Sequence, residues 1–166
     1  TVERYLDLLE KTFVIFRLSP FSRNLRNEIR NKQKYFFYDI GIRNAVINQS
    51  NSLSLRDDVG KLWENFIIAE RMKYRSYHEV YVNAYFWRTY EQQEIDLIEE
   101  RDAHFSAYEI KWKDDVRVKL PLSFAKSYPN HDFSIIHRDN YLGFITSFYG
   151  DSEDTPKNSK SVMRTV

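Results

Sequence analysis

Glu94-Ile95-Asp96-Leu97-Ile98 and Ala107-Tyr108-Glu109-Ile110-Lys111-Trp112 read as two neighbouring strands. Successive side chains on a strand point to opposite faces. The second stretch therefore sends Tyr108, Ile110 and Trp112 one way and Glu109 with Lys111 the other. In the first, Ile95 and Leu97 take one face, Asp96 and Ile98 the other. A turn centred on Asp102-Ala103 makes the pair an antiparallel hairpin, with strands over 93–101 and 104–112. Its register sets Asp96 opposite Glu109.

The surrounding sequence supplies the layers around this hairpin. A helix is expected from Gly60 to about Tyr74 and a strand over 79–89. Pro121 opens a short helix that ends before Pro129, and 132–137 is a last strand. The order α-β-β-β-α-β indicates an α/β class chain, an α+β mixed sheet with helices packed on it. Ahead of it, Val2, Tyr5, Leu6 and Leu9 fall at helical spacing. Phe13-Val14-Ile15-Phe16 and Tyr35-Phe36-Phe37-Tyr38 read as strands, with a basic stretch between them, and Asp39 is placed to cap a helix through Val46. Residues 1–47 are expected to be a separate small unit, 48–59 a linker rich in Asn and Ser, 60–150 the main domain and 151–166 a polar tail.

Two carboxylates directly opposite on a sheet repel. A divalent cation reverses that sign. An acid pair with a lysine two residues on is the equipment of Mg²⁺- or Mn²⁺-assisted phosphodiester cleavage: the acids hold the metal, and the lysine orients water and balances phosphate charge. A third acid comes from the helix, where Glu64 is flanked by Ile67 and Ile68 and so points toward packed structure, where a lone charge is costly. Asp96, Glu109 and Glu64 are thus the expected metal ligands, and Glu64, Asp96, Glu109 and Lys111 the expected catalytic set. The competing reading is a metal-free ion-pair network on a module that docks DNA or a protein.

Composition narrows the alternatives. The chain has 166 residues, no cysteine and a heavy aromatic load of 12 Tyr, 12 Phe and 3 Trp. Disulfide and thiolate chemistry are absent, and a cytoplasmic setting is expected. No apolar run approaches a membrane span. The four histidines lack ligand spacing for zinc, and no phosphate-binding glycine loop is present. Net charge is only +1, but residues 1–50 hold nine Lys/Arg against five Asp/Glu. Any contact with nucleic acid is therefore expected through Arg23, Arg26, Arg30 and Lys32. The start at Thr1, without Met, suggests a piece of a longer protein.

These residues also carry a resemblance. Gln93-Glu94-Ile95-Asp96-Leu97-Ile98 followed by Tyr108-Glu109-Ile110-Lys111-Trp112 resembles the Asp…Glu-x-Lys core of the PD-(D/E)XK nuclease superfamily. Within that superfamily it is more similar to one branch, a domain of unknown function at the C-terminus of archaeal and bacterial AAA+-type ATPases. Gly60-Lys61-Leu62-Trp63-Glu64-Asn65 is similar to its glutamate helix. Residues 1–10 resemble the last helix of the preceding winged-helix segment, and Lys34 to Arg43 a signature that follows it. The resemblance implies a restriction-endonuclease-like core preceded by the end of a winged helix, with Glu64, Asp96, Glu109 and Lys111 at the matching site positions. It also implies an ATPase domain ahead of Thr1 as partner, the only part in which ATP would bind.

Overall fold

Leu97 stands opposite Tyr108, and Arg101 opposite His104, in the computed structural model, which describes residues 1–23, 28–29, 32–115 and 117–147. This is the register expected from a turn at Asp102-Ala103. Both turn residues adopt positive φ, 52° and 60°, the conformation that lets a two-residue hairpin follow the right-handed twist of its strands.

The hairpin lies inside a six-stranded mixed sheet. The strands are β1 (Ile15–Pro20), β2 (Lys34–Phe37), β3 (Asn83–Arg88), β4 (Glu94–Arg101), β5 (His104–Ile110) and β6 (His131–Ile136), in the order β2-β1-β3-β4-β5-β6. β1 runs parallel to β3 and β5 parallel to β6; the remaining pairs are antiparallel. The helices are α1 (Val2–Lys11), α2 (Ile40–Val46), α3 (Val59–Tyr77), α4 (Leu122–Ser127) and α5 (Tyr141–Thr146). α5 has no counterpart in the sequence reading.

Adjacent residues fall into two different cores, which shows that the sheet is covered on both faces. Phe86, Leu97 and Tyr108 pack with Trp63, Ile67 and Ile68 of α3, and α5 adds Tyr141 and Phe144 at the margin. Trp87, Ile98 and Ala107 pack on the other side with Phe124 and Tyr128 from α4 and its end. β4 and β5 are accordingly buried along most of their length, Ile95 and Ile98 being fully enclosed.

Strict alternation fails at one place. Tyr85 pairs with Ile98, but Trp87 pairs with Ile95. One residue of β3, Phe86, thus faces two of β4, Asp96 and Leu97, which is a β-bulge. Ile95 consequently joins Ile98 in the α4-side core instead of sharing a face with Leu97. Asp96 emerges from the bulge itself.

Residues 1–47 do not make a sheet of their own. Ser19 and Pro20 pair with Tyr85 and Phe86, so β1 and β2 extend the central sheet. α1 follows the helical spacing expected of it, and Asp39 caps α2, accepting from the Gly41 and Ile42 amides at 2.6 and 3.2 Å. Arg26, Arg30 and the polar tail lie outside the described residues.

Candidate functional site

The bulge in β4 sets the Asp96 carboxylate beside the end of β5. Its Oδ2 accepts the Ile110 main-chain N–H at 2.8 Å, in a position only 7% exposed. The paired ladder ends one step earlier, at Leu97 and Tyr108. Asp96 and Glu109 are therefore joined by a side chain and not by a facing pair of strand residues. The Lys111 Nζ lies 2.5 Å from Glu109 Oε1 and 3.5 Å from Asp96 Oδ2. One ammonium spans both acids from the residue just past β5.

Glu64 reaches the same site from α3, through a residue the sequence reading did not single out. Lys34, the first residue of β2, places its Nζ 3.0 Å from Glu64 Oε1, 2.5 Å from Glu94 Oε1 and 4.0 Å from Asp96 Oδ1. Asn65 explains why β2 lies there. Its Oδ1 accepts the Phe37 N–H at 3.0 Å and its amide donates to the Phe37 carbonyl at 2.7 Å. A side chain on α3 thus completes the hydrogen bonds at the end of an edge strand, next to Glu64. Glu94 had a signal in the sequence, since Glu94 and Asp96 are two apart on one strand. Lys34 had none, because its partners are 30 or more residues away.

Four carboxylates thus meet two ammonium groups, with the Arg88 guanidinium 3.7 Å from the outer acid, Glu94. Negative charge remains in excess. Burial pushes the Glu64 carboxyl above its ordinary value, and repulsion from Asp96 and Glu94 adds to this against the pull of Lys34. Glu109 is raised for the same reasons, burial first and then Asp96. For Lys34, burial favours the neutral amine, but Glu64, Glu94 and Asp96 outweigh it and keep the ammonium above its usual value. For Lys111, burial likewise favours the neutral amine, but Asp96 and Glu109 outweigh it and raise its value.

The donor set is all carboxylate oxygen, the chemistry that suits Mg²⁺ or Mn²⁺. Its placement is less open. Among the described residues no three His, Asp or Glu side chains are arranged to hold a metal ion, and lysine ammonium groups stand between the acids. The residues fit such an ion in kind.

The expected nucleic-acid contacts are placed differently. Arg23 makes a bidentate pair with Glu100, at 2.6 and 2.8 Å, so its charge is largely spent within the fold. Lys32 is exposed. Arg26 and Arg30 fall outside the described residues. No helix among the described residues is long and apolar enough to cross a membrane.

Comparison with known proteins gives two family matches. The model described as a domain of unknown function (DUF4143) covers residues 59–147, more than half of the chain, and one described as a domain of unknown function (DUF8612) covers residues 1–53. Their boundary falls in the 48–59 connection. Relatives include the uncharacterized protein Rv2008c of Mycobacterium tuberculosis and the uncharacterized protein Mb2031c of Mycobacterium bovis. Each is 27% identical over 113 residues, which is 67% of this chain and 25% of the relative. The chain spans about a quarter of the length of these curated relatives. No solved structure matches it.

Proposed function

The chain belongs to the DUF4143 family, and we propose that the matched segment is a nuclease-like domain of the PD-(D/E)XK kind, with a restriction-endonuclease-like core. In this reading it cleaves or processes DNA phosphodiester bonds with Mg²⁺ or Mn²⁺ and works as the C-terminal part of an AAA+-type ATPase, after the end of a winged helix. The observation that carries the reading is the convergence of Asp96, Glu109 and Lys111 from adjacent strands with Glu64 from the covering helix. The absence of a phosphate-binding glycine loop means that no residue here is assigned to ATP.

Asp96 and Glu109, helped by Glu64, would hold the metal. When bound, such an ion polarises the phosphodiester and makes its water a better nucleophile at neutral pH. The residues themselves divide the remaining work. Ile110 N–H fixes the Asp96 carboxylate. Lys111 stands where its ammonium meets both acids, and it would offset the charge that develops on the attacked phosphate. DNA and an ATPase portion are the partners of this proposal.

A second reading has a specific observation in its favour. With Lys34 and Lys111 already pairing the acids, and no three donors poised for a metal among the described residues, the same residues suit a metal-free docking module. The two readings separate in one experiment: titration of Mg²⁺ and Mn²⁺ into the chain by calorimetry, with cleavage assays on linear, supercoiled and single-stranded DNA. Metal binding with cleavage is the expected result. No binding at millimolar metal and no cleavage would leave the docking module.

A further inference from the structure

We infer that Lys34 is a tethered cation that competes with the divalent metal for the acidic site, so that metal entry and release of the Lys34 ammonium are one event. The inference rests on the metal-dependent reading above and assigns a role to a residue outside the Asp…Glu-x-Lys pattern.

The geometry separates Lys34 from Lys111. Lys111 contacts Asp96 and Glu109 from the β5 end. Lys34 contacts Glu64 and Glu94 and stands 4.0 Å from Asp96 Oδ1, the oxygen not taken by the Ile110 amide. It therefore sits among acids of two elements, α3 and β4, and offsets the charge of Glu64 and Asp96, two of the three acids a metal would need. A single positive charge there leaves the cluster acidic. A divalent ion in its place neutralises one charge more, and carboxylate oxygens are hard donors that favour it.

The exchange needs no movement of the fold. Asn65 holds β2 through the Phe37 main chain, three residues from Lys34. The lysine stem has four rotatable side-chain bonds, and the side chain is 23% exposed, so the ammonium has a path to solvent. Its Nζ lies 5.3 Å from the centre of the Phe86 ring, which also favours the inward position. Lys34 also comes from the segment matched by the DUF8612 model, whereas the acids come from the DUF4143 segment. The cation that guards the site is thus supplied by the other half of the chain. Once displaced, it stands at the rim, where a phosphate backbone would meet it.

Two measurements on the 166-residue chain test this. In the first, Mn²⁺ is titrated by calorimetry into wild type and Lys34→Met, with the fold of each checked by circular dichroism. Removing the competing charge should tighten Mn²⁺ binding by about tenfold or more. In the second, wild type is acetylated with an amine-reactive ester with and without Mn²⁺, and modification of Lys34 is read by peptide mass spectrometry. Labelling of Lys34 should rise with metal, because its ammonium leaves the carboxylates. This arm decides the matter if Lys34→Met does not fold. Binding that is unchanged or weaker in Lys34→Met, or labelling unchanged or reduced by Mn²⁺, overturns the competition while leaving a metal site standing. No Mn²⁺ binding by either protein overturns the competition and the metal-dependent reading together.

Discussion

At Asp96 the two carboxylate oxygens have different surroundings. Oδ2 accepts the Ile110 N–H and faces Lys111, while Oδ1 is turned toward Lys34. A group held this firmly loses little freedom on binding a cation, so Asp96→Ala is expected to abolish both Mn²⁺ binding and any cleavage. Lys111→Ala should leave metal binding largely intact and lower the cleavage rate by ~10²–10³, the usual cost of one positioned electrostatic group. Calorimetry and rate measurements on the two variants check this; equal loss of metal binding in both would remove the division of labour. Glu64, Asp96, Glu109 and Lys111 were legible because each lies in a local pattern, an alternation or a helical spacing. Lys34 and Asn65 were not. Their roles depend on β2 lying against α3, a contact that no local sequence window contains. The Asp96–Glu109 opposition was legible only in part, since a bulge inserts one residue and no periodicity announces it.

α3 is anchored along its length by charge as well as by its apolar face. Arg71 donates to both oxygens of Glu99 at 3.0 and 2.8 Å and to the Phe144 and Ser147 carbonyls at 2.7 and 2.8 Å. One guanidinium thus ties the helix to β4 and to α5. Both members of the pair are nearly inaccessible to water, and removing Arg71 leaves the buried Glu99 with the more distant Arg75, at 3.6 Å. Arg71→Ala should destabilise the protein by about 3–5 kcal/mol, read from urea denaturation, whereas a loss below about 1 kcal/mol would mean that Arg75 or water compensates Glu99. The start of the same helix carries a different arrangement. Arg56 first, then Arg43, hydrogen-bond to Asp58 and hold its carboxyl well below its ordinary value of 3.8, against burial. An acid with a lowered value stabilises the fold above its ordinary range and loses that contribution as pH falls. The urea midpoint of Asp58→Asn should lie below wild type at pH 7, and the gap should narrow as pH drops under 3.8. A gap that stays constant down to pH 2 would show that the arginines do not act on Asp58 in this way. The helix was readable from its spacing. The short α5 was not, because its anchor, Arg71, is 73 residues away from Phe144.

On the scale of the whole molecule, the two family segments share one sheet and one core. β1 is hydrogen-bonded between β2 and β3, and Phe16, Leu18 and Phe36 from the first segment are buried against α3 and the central strands. Burying a large apolar side chain is worth roughly 1.5–3 kcal/mol, so these three contribute ~5–9 kcal/mol, on the scale of the ~5–15 kcal/mol that stabilises a typical domain. Removing residues 1–53 would forfeit that burial and expose the unpaired edge of β3, a template for association. It would also strip Lys34 from Glu64, Glu94 and Asp96, and their mutual repulsion would then be offset by Lys111 and Arg88 from farther away. A chain of residues 54–166 is therefore expected to show no cooperative thermal transition by circular dichroism and to associate on gel filtration. Added Mn²⁺ should restore part of the structure, because a divalent ion supplies the charge that Lys34 provided. A monomeric, cooperatively melting 54–166 chain would instead mean that the segment 59–147 completes its core alone, and that the first segment is docked on the sheet without being needed for it.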